Sequence, residues 1–252
     1  SGPRADLMAA NNVMAHVPDI NDFIGGVPIL LNEEGVFTIE FPHLLNLIEK
    51  VQFDTIYHEH YSYLSLLTVE KILAAHGLRV FDVEELATHG GSLRIHACHQ
   101  ASKKHLETDR LTALRVKEAA AGMGTLAAYE GFTPKVEHVR DQLLAFLQQA
   151  KAAGKKVAAY GAAAKGNTLL NFCHIGPELI EYVVDRNPEK QGTFLPGSHI
   201  PVFDPAKIRA EKPDYVLILP WNLADEISRD MADIRAWGGQ FAIPIPTLTI
   251  LP

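Results

Sequence analysis

Lys156-Val157-Ala158-Ala159-Tyr160-Gly161-Ala162-Ala163-Ala164-Lys165-Gly166-Asn167 holds two kinds of structure in twelve residues. Its first part, 156–160, is a short apolar run that reads as a strand. Small residues from Gly161 to Asn167 then predict a turn, and 168–172 continues as a helix. Downstream, the alternation repeats. Residues 180–185 (IEYVVD) predict a strand. Residues 204–211 predict a helix with Asp204 as N-cap and Pro205 at its first position. A buried strand follows at 214–219 (DYVLIL), then a helix over 222–237 ended by Gly238-Gly239, then a last strand at 240–245. Four strands alternating with helices imply a parallel sheet wound in the right-handed sense.

Upstream the pattern is also α/β. Residues 5–13 read as a short buried strand, and 20–31 carries apolar residues at helical spacing. Residues 35–42 (GVFTIEFP) form a β-branched and aromatic strand stopped by Pro42. Short helices are expected at 43–51 and at 68–76, the second with Thr68 as N-cap and Gly77 as C-cap. Residues 78–83 and 92–98 form a closing pair of strands, with Gly90-Gly91 turning into the second. Between about 103 and 153 strands vanish and strong helix formers dominate, broken near Gly122, Gly131 and Pro134. The expected organisation is an α/β part at 1–102, a helical connector at 103–154 and a second α/β part at 155–252. There is no low-complexity tract or short-period repeat.

Composition bounds the function. A net charge of −7, a pI near 5.9, 47% hydrophobic and 21% charged residues describe a globular chain with enough apolar side chains for a good core. No basic excess exists to displace phosphate counterions, which argues against nucleic-acid binding. No apolar run reaches the roughly 18 residues of a membrane span. The opening Ser1-Gly2-Pro3-Arg4 resembles neither a signal peptide nor a transit sequence. Cys98 and Cys173 are the only thiols, which excludes a disulfide scaffold or a cysteine zinc site within the chain and suits a reducing cytoplasm. Twelve histidines prompt a search for acid–base chemistry.

Three stretches carry that chemistry. In Phe53-Asp54-Thr55-Ile56-Tyr57-His58-Glu59-His60-Tyr61-Ser62-Tyr63, three tyrosines, two histidines and a glutamate fall within seven residues. Imidazole titrates near neutral pH and a carboxylate can fix its tautomer, so the run suits proton transfer. A buried network of hydroxyls and imidazoles would account for it too. So would a metal site, although His58-Glu59-His60 is too compact for the HExxH motif. The second stretch, Asn11-Asn12-Val13-Met14-Ala15-His16, puts polar residues at a strand's carboxyl end, where open α/β sheets bind ligands; capping would explain them equally. The third is the Gly161–Asn167 turn. Small residues let backbone approach a phosphate at a helix N-terminus. Ala163 breaks the GxGxxG pattern, and Lys165 precedes Gly166, which breaks the P-loop pattern. Asp185, at the end of the next strand, would suit a ribose hydroxyl. Tight strand–helix packing is the competing explanation. The remaining histidines show no ligand spacing, and both cysteines read as small core residues.

Together, ANNVMAHVPDINDF, FDTIYHEHYSYLSL, GGSLRIH and KVAAYGAAAKGNTLLN resemble the S-adenosylmethionine-dependent sugar C-methyltransferases, those acting on nucleotide-linked deoxy keto-sugars of the tetronitrose-pathway type. The resemblance covers nearly the whole chain. It implies that 1–102 is the C-terminal half of a methyltransferase Rossmann-type sheet and that 155–252 is a C-terminal Rossmann-like domain on the nucleotide-sugar side of a cleft. It implies a catalytic set of His60 as general base, Glu59 as orienting group, Tyr57 as donor to an enolate and His16 as a second positioning or proton-donating group. Asn11, Asn12 and His16 are expected at the cofactor, S-adenosylmethionine. Gly161, Lys165, Gly166, Asn167 and Asp185 are expected at the nucleotide-diphosphate sugar. The family's N-terminal zinc module and the glycine loop for the cofactor's methionine end are missing from this sequence. An upstream half of the same protein, or a partner chain, is therefore expected to supply them. Two further readings remain: a non-catalytic nucleotide-sugar binding module, and an NAD-dependent oxidoreductase using the C-terminal half.

Overall fold

The computed structural model describes residues 2–251. Its contacts divide the chain into two units: residues up to Glu49 with His58–Gly131, and Lys50–Tyr57 with the chain from Phe132 onward.

The first unit contains β1 (Ala5–Asn11), α1 (Ile20–Gly25), α2 (Val27–Leu30), β2 (Leu31–Pro42), α3 (Leu44–Glu49), α4 (Leu66–Ala75), β3 (Leu78–Leu86), β4 (Ser92–His99), α5 (Asp109–Ala120) and α6 (Ala127–Glu130). The sheet order is β1-β2-β4-β3; β1 and β2 are parallel, and β4 runs antiparallel to both its neighbours. Alternation decides the faces. Phe37, Ile39 and Phe41 lie opposite Ala97, Ile95 and Leu93, and all six are buried with Leu66, Val69 and Leu73 of α4 and Leu111 and Leu114 of α5. The intervening positions form a polar ladder. Arg94 bonds Glu40 at 3.0 Å and faces Glu84 at 3.5 Å, and His96 Nε2 donates to Glu84 at 2.9 Å.

The second unit contains α7 (Phe132–Ala152), β5 (Val157–Tyr160), α8 (Ala164–Phe172), β6 (Val183–Val184), β7 (Val202–Phe203), α9 (Ala206–Glu211), β8 (Tyr215–Ile218), α10 (Ala224–Asp230), β9 (Gln240–Ile243) and β10 (Thr249–Leu251). The sheet order is β10-β9-β8-β5-β6-β7, parallel except for β10. Each central strand feeds two cores in turn. Val157, Ala159 and Leu217 pack with Val139, Leu143 and Leu147 of α7 and Leu169 of α8. Ala158, Tyr160, Val216 and Ile218 pack with Ile208 of α9 and Ile227 of α10. This two-sided burial is why DYVLIL shows no period of two.

The sequence expectations hold for the α/β class and for the parallel sheet, and shift in detail. Ser65 caps α4, its hydroxyl accepting from the Thr68 amide, where Thr68 had been expected as cap. The helix expected over 20–31 divides at Gly26, and the one over 222–237 divides at Met231 into α10 and a 3-10 stretch. The strand expected over 180–185 pairs only at Val183–Val184, and the edge strands β7 and β10 carry too little pattern to be read. The helical segment 103–154 is shared out: α5 and α6 cluster with the first unit, α7 with the second. No helix among the described residues is long and apolar enough to cross a membrane.

Candidate functional site

In the first unit, two stretches far apart in sequence come together. After β1 the backbone turns at Asn12, whose φ of 55° is left-handed, and enters a 3-10 turn over Met14–His16. The amides of Tyr61 and Ser62 both donate to the Ala15 carbonyl, at 2.8 and 3.3 Å. His16 Nδ1 donates to the Glu59 carbonyl at 2.9 Å, which leaves Nε2 as the other ring nitrogen. The His16 and His60 rings lie 4.8 Å apart, and Tyr63 meets His60 edge-on at 5.9 Å. His16 and His60 are half-buried; Glu59 and Tyr61 are exposed. Asn11 is exposed, while Asn12 Oδ1 is buried without a hydrogen-bond partner. So His16, Glu59 and His60 form one cluster at the carboxyl end of a parallel strand, with Asn12 at the turn that leads into it. Tyr57 clusters with the second unit. Among the described residues, no three His, Cys, Asp or Glu side chains converge as a metal site requires.

In the second unit the sheet order reverses between β5 and β8, a topological switch point where such sheets bind ligands beyond the strands' carboxyl ends. Gly161 follows β5 with φ 97°. A Cβ there would sit 2.5 Å from Pro220 Cδ, so only glycine lets the two strand ends approach this closely. Gly166 serves the same approach within the first turn of α8, where a Cβ would lie 3.0 Å from Leu219. Helix α8 begins at Ala164, not after Asn167 as the sequence suggested, so Lys165, Gly166 and Asn167 occupy its first turn. No side chain caps that turn, and its amides are the ones an anion can use. Asp185 is engaged within the unit. Its Oδ2 accepts from the Ala162 amide at 2.7 Å and lies 3.5 Å from Lys190 Nζ, and its Oδ1 accepts from the Asn187 amide at 2.8 Å. Lys190 Nζ also donates to the Ala162 carbonyl. Asp185 thus holds the loop after β5 in shape.

Asp54 and Trp221 complete this end of the sheet. Trp221 Nε1 donates to Asp54 Oδ2 at 2.7 Å. Lys165 Nζ lies 4.7 Å from the Trp221 ring centroid and donates to Asn222 Oδ1 at 2.6 Å. Asp54 is fully buried, and its Oδ1 has no partner. Burial pushes its carboxyl up to about 6, against the opposing pull of the Trp221 bond and the Lys165 charge. Burial likewise lowers the Lys165 ammonium, which Asp54 partly offsets. Sequence reasoning passed over both residues, although Asp54 lies in the quoted aromatic run. The signal for Trp221 was its place: it follows the strand at 214–219 as Gly161 follows β5.

The raised Asp54 carboxyl has a consequence for stability. The folded unit keeps a proton that the unfolded chain, with an ordinary value of 3.8, has already released. The stabilisation is full below pH 4 and is lost as pH rises through 6. At 1.36 kcal/mol per unit this amounts to about 3 kcal/mol. Melting of Asp54→Asn followed from pH 4 to 7.5 should lack this component of the pH slope; an unchanged slope would refute it.

The model of the C-methyltransferase C-terminal domain matches residues 87–246, and the chain belongs to that family. The C-methyltransferase NovU of Streptomyces niveus is 38% identical over 242 residues, which are 96% of this chain and 57% of that protein. The chain thus spans a little over half the length of this curated relative. Solved structures give partial matches. A magnesium protoporphyrin IX methyltransferase from Synechocystis is 16% identical with a TM-score of 0.31, covering 39% of this chain and 47% of that one. An O-methyltransferase family protein from Burkholderia thailandensis is 15% identical with a TM-score of 0.31, covering 40% and 32%.

Proposed function

We propose that the chain is the part of an S-adenosylmethionine-dependent C-methyltransferase that deprotonates a nucleotide-linked deoxy keto-sugar and binds its diphosphate. The observation that carries this reading is the joining of His16, Glu59 and His60 at the end of β1. Family membership supports the methyl-transfer class.

In the first unit, His60 is the general base. It takes the proton from the carbon next to the ketone, and the C–H electron pair passes onto the ketone oxygen as an enolate. That carbon is then the nucleophile that methyl transfer requires. Nδ1 of His16 donates to the Glu59 carbonyl, so the other ring nitrogen carries a hydrogen only in the imidazolium form, and in that form His16 donates it to the developing oxygen charge. The Glu59 carboxylate is assigned to orienting the cluster, and Tyr57 to donating to the enolate; the motif resemblance carries both assignments. S-adenosylmethionine supplies an electrophilic methyl group when bound. Asn11, Asn12 and His16 would hold it, and the buried, unpartnered Asn12 Oδ1 fits a hydrogen-bond donor on that group.

In the second unit, Lys165 and the uncapped first turn of α8 bind the diphosphate, with Gly161, Gly166 and Asn167 forming the close backbone approach and Asp185 bracing it. Titration calorimetry with uridine diphosphate tests this. Binding should be detectable, and Lys165→Met should weaken it by roughly 10- to 100-fold, the worth of one charged hydrogen bond. Absence of heat with uridine diphosphate and with inorganic pyrophosphate would remove the diphosphate assignment.

A further inference from the structure

We propose that Asp54 is a positioning residue for Lys165, acting through the Trp221 indole. The inference rests on the diphosphate reading of Lys165 and adds residues that neither the sequence motifs nor the comparisons assign.

Three observations carry it. First, Asp54 is placed at real cost. A carboxylate with no exposed surface is disfavoured unless its bonds repay the loss of water. Only one of its oxygens is bonded to another side chain, and that partner is Trp221. Second, the bond fixes the plane of the ring that Lys165 lies over. An indole after a strand end can rotate about two side-chain torsions, and a 2.7 Å bond at Nε1 selects one setting. Third, the Lys165 ammonium forms no direct ion pair among those found in the described residues. Its contacts are the indole face and the neutral Asn222 amide. The ammonium is thus steered without being neutralised by contact. A lysine salt-bridged directly to a carboxylate would have to break that pair to bind phosphate. Here Asp54 holds the ring from behind, and one hydrogen of the ammonium lies on the Asn222 amide while the others are left to the anion.

The segment that carries Asp54 is itself anchored for this purpose. Phe53 packs in the core beside Val51, and its ring lies 5.0 Å from that of Phe172 at the far end of α8. Asp54 therefore reaches Trp221 from a support fixed to the same helix that bears Lys165.

The test is a double-mutant cycle on diphosphate binding by the full chain, read by calorimetry with uridine diphosphate and with inorganic pyrophosphate. Asp54→Ala should weaken binding at least tenfold. Asp54→Asn keeps an acceptor for the indole and should restore affinity to within about threefold of wild type. Trp221→Phe keeps the ring and loses the N–H; it should weaken binding comparably, and combining it with Asp54→Ala should add little. Wild-type affinity in Asp54→Ala and Trp221→Phe, alongside loss in Lys165→Met, would overturn the relay. Independent, additive losses in the double variant would overturn it too. A readout without ligand separates this from failure of the diphosphate reading. In a Trp237→Phe background, Trp221 is the only indole, and its emission should shift in Asp54→Ala and return in Asp54→Asn. Unchanged emission in Asp54→Ala would overturn the relay whether or not any diphosphate binds. A shift that Asp54→Asn reverses, with no diphosphate bound by wild type, would support the relay and remove the diphosphate reading alone.

Discussion

Replacing His60 by alanine in the full-length protein is expected to lower turnover by roughly 10²–10⁴-fold, the usual contribution of a positioned general base. Affinity for the nucleotide sugar should stay within about twofold. The base acts on a bond that changes only in the transition state, so its loss falls on kcat and leaves ground-state binding intact. Exchange of the substrate's α-hydrogen with deuterated water isolates the step: His60→Ala should lose exchange together with methyl transfer. Tyr57→Phe should retain slow exchange if its hydroxyl stabilises the enolate. A collapse of affinity with normal turnover in His60→Ala would show that this ring binds and does not deprotonate.

The largest effect on stability is expected at Glu118, in the first unit. It is buried and accepts three bonds: from His43 Nε2 at 2.7 Å and from the amides of Leu66 and Leu67 at 2.7 and 2.8 Å. Those amides open α4, so one carboxylate pairs with the Nε2 of a buried histidine and with a helix N-terminus together. Burial by itself would raise the Glu118 carboxyl, but His43 and the two amides hold it below the ordinary range. The sign follows: this stabilisation is present above the ordinary glutamate range and is lost as pH falls through the depressed value. Glu118→Ala would strand His43 and two amides, at a cost of about 3–5 kcal/mol. Glu118→Gln keeps one acceptor and should lose less. Denaturant unfolding followed by a probe in the first unit reads both, and a loss under 1 kcal/mol for the alanine variant would contradict the assignment.

Much of this architecture could be read from local pattern. The run at 156–160 reads as a strand and DYVLIL as a buried one, and the structure covers both on two faces. Residues 35–42 read as a strand from their β-branched and aromatic content, and the structure turns Phe37, Ile39 and Phe41 to the core. What escaped was short or distant. Val202–Phe203 pairs over two residues, too few for any period. Ser65 outranked Thr68 as a cap because the turn begins three residues earlier, at a buried serine that no spacing marks. The His16–His60 meeting depends on two amides converging on the Ala15 carbonyl, a backbone event that side-chain patterns do not encode. Asp54 and Trp221 stand 167 residues apart, as do His43 and Glu118 at 75, and nothing in a single sequence links such pairs.

The eight residues Lys50–Tyr57 have a practical meaning for dissection of the molecule. They belong by contact to the second unit although both their flanks belong to the first. A gene fragment opening at Phe132 would encode every strand of the second sheet and still leave out Val51, Phe53 and Asp54. The hydrophobic seat of Phe53 would stand open, and the Trp221 indole would lose its acceptor. Faithful excision of that half therefore calls for a stitched or permuted chain that brings 50–57 along.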